Sequence, residues 1–134
     1  MFVVAGSGYF NYDKMASYEH ESQFSNAITQ LTSGYRMYEN LHEVPPDTLT
    51  DMTTALIDEP KLPQGMTVTY DESNKNYFCF DGSVNESVFM ALDRMRSNLG
   101  ETVFSLSDAC GDNTSPIASP SFPVALKATY YITK

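Results

Sequence analysis

The residues with the most specific chemistry in this chain of 134 residues are its two cysteines, Cys79 and Cys110. Two thiols suffice for one bridge and are too few for a structural zinc site without histidines close by. The two histidines, His20 and His42, both precede Pro45 and are far from the cysteines in sequence. A Cys/His nucleophilic pair stays open but has no local support. The even count makes a Cys79–Cys110 disulfide the expectation. Closing a loop of about 30 residues would stabilise the chain by roughly 3 to 4 kcal/mol through lost chain entropy. A stable bridge implies an oxidising compartment.

Oxygen ligands concentrate beside the second cysteine, at Asp108, Asp112, Asn113 and Thr114. Calcium binds six to eight such oxygens, so Asp108, Asp112 and Asn113 form a weak calcium candidate. Their spacing is not that of an EF-hand, and a plain polar loop explains them as well. Asn85-Glu-Ser87 and Asn113-Thr-Ser115 match the N-glycosylation pattern, which is common by chance. No phosphate-binding glycine loop, G-x-S-x-G or H-E-x-x-H occurs, and no pair of carboxylates is marked as acid and base. The expectation is a protein that is not an enzyme and needs no cofactor.

The net charge is −9, from 17 acidic and 8 basic residues. Polyanions would be repelled, which argues against a nucleic-acid partner. No apolar run reaches the length of a membrane span. The best candidate, Met1 to Phe10, is interrupted by Gly6, Ser7 and Gly8. It has neither the positive flank nor the cleavage site of a secretory signal, so the chain reads as a mature or truncated form.

The elements that position these residues follow from periodicity. Phe24, Ile28, Leu31, Tyr35 and Tyr38 recur at alternating steps of four and three, with Met15 and Tyr18 before them and Leu41 after. This predicts one long helix from Asn11 to His42 whose apolar stripe packs on a core. Val44-Pro45-Pro46 ends it. A short second helix follows, capped by Asp47 or Thr48, with Leu49, Met52 and Leu56 on its apolar side. Met66 to Tyr70 alternates as a strand, Asp71 to Lys75 is a polar turn, and Asn76 to Phe80 returns as the second strand of a hairpin. Ser83 to Asn98 reads as a helix with a Ser83/Glu86 capping box and Val84, Val88, Ala91, Leu92 and Met95 on one side. Gly100 stops it. Thr102 to Leu106 is a strand, Ala109 to Pro123 a loop, and Val124 to Thr133 a last strand with Leu126, Tyr130 and Ile132 on one side. The class is α+β, a single domain over residues 1–134, with an antiparallel sheet of about four strands laid on the first helix.

This order resembles the type IV pilins. The stretch that carries the resemblance is Gln30-Leu-Thr-Ser-Gly-Tyr-Arg-Met-Tyr-Glu-Asn-Leu-His-Glu-Val-Pro-Pro46, followed by Leu49 and by Lys61-Leu-Pro-Gln-Gly65. The second is Phe78-Cys79-Phe80 with Asp108-Ala-Cys-Gly111. The resemblance implies that residues 1–43 are the C-terminal part of the N-terminal helix and 44–65 the αβ loop. It makes 66–134 the sheet and D-region, with the latter closed by the two cysteines. A helix within that loop is similar to the type IVb branch. The family's apolar helix half, with an acidic residue at its fifth position, is missing from the sequence.

The resemblance implies a structural subunit of a pilus filament at the bacterial surface, serving adhesion, motility or related surface functions. Its partners would be other pilin subunits and the pilus assembly machinery. It would touch the membrane only through the missing helix, residing in the inner membrane before assembly and outside the cell afterwards. The alternatives are a pseudopilin of a type II secretion system and, in another class, a minor-pilin adhesin or ligand-binding tip module. The chain's nine tyrosines and eight phenylalanines raise the further idea of an aromatic electron relay. Core packing and subunit contact account for them more simply.

Overall fold

Helix α1, Tyr12–His42, is formed by the periodic stretch that the spacing marks. The computed structural model describes residues 12–55, 59–113 and 121–132. After α1 come α2 (Leu49–Ala55), β1 (Met66–Tyr70), β2 (Tyr77–Val84), α3 (Glu86–Leu99), β3 (Phe104–Ser107) and β4 (Val124–Tyr131). The strands form one antiparallel sheet in the order β1-β2-β4-β3. The architecture is therefore α+β, a long helix with a four-stranded antiparallel sheet and one disulfide. Asn11, Leu56 and Thr133, each assigned to an element from sequence, lie outside the described residues.

Alternation along the strands creates two unlike sheet faces. The register sets Phe78 beside Tyr130 and Tyr70, and Phe80 beside Ala128 and Val68. Phe104 and Leu106 continue these rows from β3. All of them belong to the core or pack against it, together with Phe24, Ala27, Leu31 and Tyr35 of α1. Phe24 meets Phe80 edge-on at 5.6 Å between ring centroids, and Tyr35 meets Tyr70 at 6.4 Å. Removing each such side chain from water is worth about 1.5 to 3 kcal/mol.

The stripe of α1 is covered only in its middle. Met15, Tyr18 and Leu41 are exposed, whereas Phe24, Leu31 and Tyr35 are fully buried. Ile28 is partly buried against the core, and the half-buried Tyr38 stands outside it and stacks on His42 at 4.2 Å. Length is the reason. A helix of 31 residues runs about 46 Å, and an eight-residue strand about 27 Å. The helix therefore overhangs the sheet at both ends.

Local chemistry sets the ends of the elements. Glu43, at φ 63, takes the left-handed conformation after α1, and its amide donates to the Glu39 carbonyl at 2.7 Å. At α2, Thr48 Oγ1 accepts from the Asp51 amide at 3.2 Å while Asp51 Oδ2 accepts from the Thr48 amide at 3.3 Å. This is a reciprocal cap with aspartate in the place of glutamate. In the hairpin turn the buried Asp71 carboxylate accepts from the backbone amides of Asn74 and Asn76. Gly82 lies so close to the Gly65 carbonyl that a Cβ there would collide with backbone, so the sheet requires glycine at that point.

Several element boundaries differ from the sequence expectation. The strand expected over Asn76–Phe80 runs through Val84, because Ser83 and Val84 pair with Ala125 and Val124 of β4. Ser83 is thus a strand residue, and the Ser83/Glu86 capping box does not form. Asn85 caps α3 instead, its Oδ1 accepting from the Val88 amide at 3.0 Å. Thr102 and Val103 belong to a turn tied to Gly100, so β3 begins at Phe104 and extends to Ser107. Strand β4 ends at Tyr131, before Ile132.

Candidate functional site

On the sheet face away from α1, the register lines up Cys79, Thr129 and Ser105 across three adjacent strands. The neighbouring row is Asp81, Lys127 and Ser107. Cys79, Thr129, Ser105 and Ser107 are buried although three of them are hydroxyl residues. A burial of this kind holds only if each hydroxyl finds a partner. The segment Asp108–Asn113 supplies those partners by folding back over the row. Cys110 bonds to Cys79, with the Cα atoms 5.8 Å apart. The Gly111 amide donates to Thr129 Oγ1 at 2.9 Å, Ser105 Oγ to the Asp112 carbonyl at 3.1 Å, and Ser107 Oγ to the Ala109 carbonyl at 2.6 Å. Ser105 Oγ also lies 3.2 Å from the Tyr131 hydroxyl.

Gly111 is needed for this closure twice over. Its φ is 76, and a Cβ there would strike the Tyr77 ring. Tyr77 and Tyr131 pair across β2 and β4 with their rings 6.2 Å apart, forming the end wall of the flap. Burial, then the Asp71 carboxylate, raises the pKa of Tyr77 and keeps its phenol neutral.

A second constellation joins the two longer helices. Arg94 of α3 donates to Glu21 at 2.6 Å and to Ser17 at 2.9 Å, and its guanidinium lies 4.2 Å from the Tyr18 ring centroid. Ser17 is fully buried and its hydroxyl donates a hydrogen bond to the Lys14 carbonyl. Arg94 thus holds α3 along α1 through planar, multidentate contact that a lysine would not reproduce.

The surface beside this clamp carries two open clefts. One, of about 670 Å³, is lined by Gln23, Asn26, Thr29, Gln30, Glu59 and Lys61. The other, of about 370 Å³, is lined by Tyr18, Glu21, Ser22, Ser25, Asn26 and Arg94. The tyrosines whose protons burial holds most firmly lie elsewhere. Tyr70 is raised well above the usual phenol value by burial and then by Tyr35, and its hydroxyl donates to the Pro46 carbonyl at 2.9 Å. Tyr35 is raised by burial and by Glu39. Its hydroxyl has no partner among the described residues, a cost of about 1 to 3 kcal/mol.

The structure thus brings Cys79 and Cys110 together and leaves His20 and His42 on α1, where His20 Nδ1 lies 3.1 Å from Gln23 Oε1. It places Phe24, Ile28, Leu31 and Tyr35 against the core, with Tyr38 beside it. No three His, Cys, Asp or Glu side chains gather as a metal-binding group among the described residues. The calcium expectation at Asp108, Asp112 and Asn113 therefore has no carboxylate cluster behind it, and Asp112 serves the flap through its backbone carbonyl. Thr114 and Ser115 of the second sequon lie outside the described residues. The Asn85-Glu-Ser87 stretch is a helix cap, with Ser87 Oγ donating to Asn85 Oδ1 at 2.9 Å.

Sequence reasoning missed the hydroxyl row and the Arg94 clamp. Both depend on register and helix docking over long sequence separations. The only signal was the alternation of serine with large apolar residues in β3. No helix among the described residues is long and apolar enough to cross a membrane. No family model matches the chain, and neither the curated proteins nor the solved structures contain a match to it.

Proposed function

We propose that this chain is the head of a filament subunit of the type IV pilin kind, with a structural role. The observation that carries the reading is the arrangement of α1, the sheet and the disulfide. A long helix overhangs an antiparallel sheet, and the loop closed by Cys79 and Cys110 contains a helix of its own, α3. This is the order of elements that the resemblance in Gln30–Pro46 and around the cysteines implies. The exposed Met15 and Tyr18 toward the N-terminal end of α1 suit a helix that continues into contacts with neighbouring subunits. The disulfide suits an oxidising compartment, and hence an exported protein.

The test is to tag the chain at its native locus and image the cell surface by immunogold electron microscopy. Labelled filaments that vanish on deletion of the gene are the expected result. Label confined to the cytoplasm, with Cys79 and Cys110 both free by thiol labelling, would overturn the proposal. One observation favours a second reading, the minor-pilin adhesin or tip module. The 670 Å³ cleft presents Gln23, Asn26 and Gln30 on one side of α1, and such amides can recognise a polar ligand. Label restricted to filament tips would select that reading, and label limited to short periplasmic assemblies would select the pseudopilin.

A further inference from the structure

The C-terminal end of α1 carries an apolar surface that no described element covers. Met37 is 45 % exposed, Leu41 73 % and Val44 54 %. Met37 and Leu41 are four residues apart on one face of the helix, and Val44 follows the left-handed turn at Glu43. Single exposed apolar residues are normal on a protein surface. Three of the large ones gathered within little more than two turns of chain are not accounted for in that way. The Tyr38 ring, stacked on His42 at 4.2 Å, borders the same end of the helix. Methionine adds a flexible, polarisable side chain that adapts to the shape of what it meets.

The charge around this surface is mainly acidic. From Met37 to Asp51 the sequence has no lysine or arginine, but it has Glu39, Glu43, Asp47 and Asp51. Arg36 pairs with Glu39 at 3.1 Å, and Lys75 reaches Asp47 at 3.7 Å, so an excess of negative charge remains. Burial first, and then the Asp51 and Asp47 carboxylates, raise the pKa of Tyr38. The apolar patch is therefore set in an acidic field.

A second copy of the chain does not complement that field. Its net charge is also −9. Its other two arginines are spent internally, Arg94 on Glu21 and Arg96 on Asp93 and Glu101, and Lys127 is spent on Asp81. We infer that the Met37–Leu41–Val44 surface docks a basic amphipathic helix of a different protein, its apolar side on Leu41 and its lysines or arginines toward Glu43, Asp47 and Asp51. The reading does not depend on the filament proposal. It draws on two ordinary terms: apolar burial for affinity, and opposite charge for encounter and selectivity. The mode is that of a helix laid on an apolar strip.

The probe is a fluorescein-labelled leucine/lysine amphipathic peptide of about 18 residues, long enough to be helical when bound. Anisotropy titrations into the intact chain should show saturable binding in the micromolar range. Leu41→Ser should weaken it about tenfold, which is the loss of roughly 1.4 kcal/mol. The residue is largely exposed, so the variant keeps its fold, as circular dichroism would verify. Leu99→Ser, which removes an exposed apolar residue elsewhere (44 % exposed), should leave binding unchanged. Added salt should weaken binding to the wild-type chain. Absence of saturable binding up to about 100 µM, far above the expected Kd, would overturn the inference. So would equal losses in the two variants, or equal binding of a leucine/glutamate peptide. Sedimentation of the chain alone gives a separate check, because self-association abolished by Leu41→Ser would assign the patch to a second copy.

Discussion

Phe80 and Cys79 are neighbours in β2, yet they point to opposite faces of the sheet and are held there by different means. Phe80 lies among Phe24, Val68, Ala128 and Leu106, where stability comes from apolar area removed from water. Cys79 lies beside Thr129 and Ser105, where it comes from one covalent bond and a set of short polar contacts to a six-residue cover, Asp108–Asn113. The first face tolerates substitution as long as volume and polarity are kept. The second demands particular atoms, since each buried hydroxyl has a named partner. A small sheet thus has a thick cover on one side and a thin one on the other, and the thin one needs the staple.

Substitutions on the two faces should separate these contributions. The largest loss is expected for Phe80→Ala, about 3 to 5 kcal/mol, because a large ring at 0 % exposure leaves a cavity at the centre of the core. Denaturant titration measures it, and a loss under 1 kcal/mol would mean that the helix face is not the main source of stability. Next is the double variant Cys79→Ser, Cys110→Ser, expected to cost roughly 3 kcal/mol from the unfolded state alone. If the flap depends on the staple, hydrogen exchange should also rise at the Gly111 amide while the Phe24 and Leu31 amides of α1 stay protected.

Thr129→Val keeps the shape of the side chain and removes the acceptor for the Gly111 amide. The expected loss is about 1 to 2 kcal/mol. A neutral result would show that the flap does not rely on its hydroxyls. The smallest effect is one of pH. Burial raises the pKa of Tyr70 and Tyr35 above the value of about 10 that a phenol has in the unfolded chain. Their contribution is therefore complete below pH ~10 and is lost as the pH rises above it, because the unfolded state releases the proton first. Urea midpoints should be flat from pH 8 to pH ~10 and fall beyond it. Tyr70→Phe should shallow that fall, at the cost of the bond to Pro46.

The helix face was largely legible in the sequence, and the flap was not. Phe24, Leu31 and Tyr35 announce themselves by helical spacing, and the alternation in Met66–Tyr70 announces a strand. Periodicity identifies a face without saying how far it is covered, which is why Met15, Tyr18 and Leu41 appeared to belong to the core stripe. Val84 explains the misplaced helix start. It fits the series Val88, Ala91, Leu92 and Met95 and is buried in either role, so only its pairing with Val124 reveals a strand. Ser83 and Glu86 had the spacing of a cap, but Asn85 sits closer to the first turn and accepts its hydrogen bond. Cys79 and Cys110 were identifiable by count alone. What the bridge covers depends on Thr129 and Ser105, which read as ordinary polar residues until the register is known.

The bridge has a mechanical side as well. Strand β3 and the whole of α3 lie between Cys79 and Cys110, 31 positions apart in sequence. A pull applied to α1 and β4 runs through the bond and bypasses everything between the two cysteines. Reduction would add about 100 Å of slack chain to the distance over which the unravelled protein can stretch. With the bond intact, that length is withheld, and a domain under tension yields a shorter tether before it goes taut.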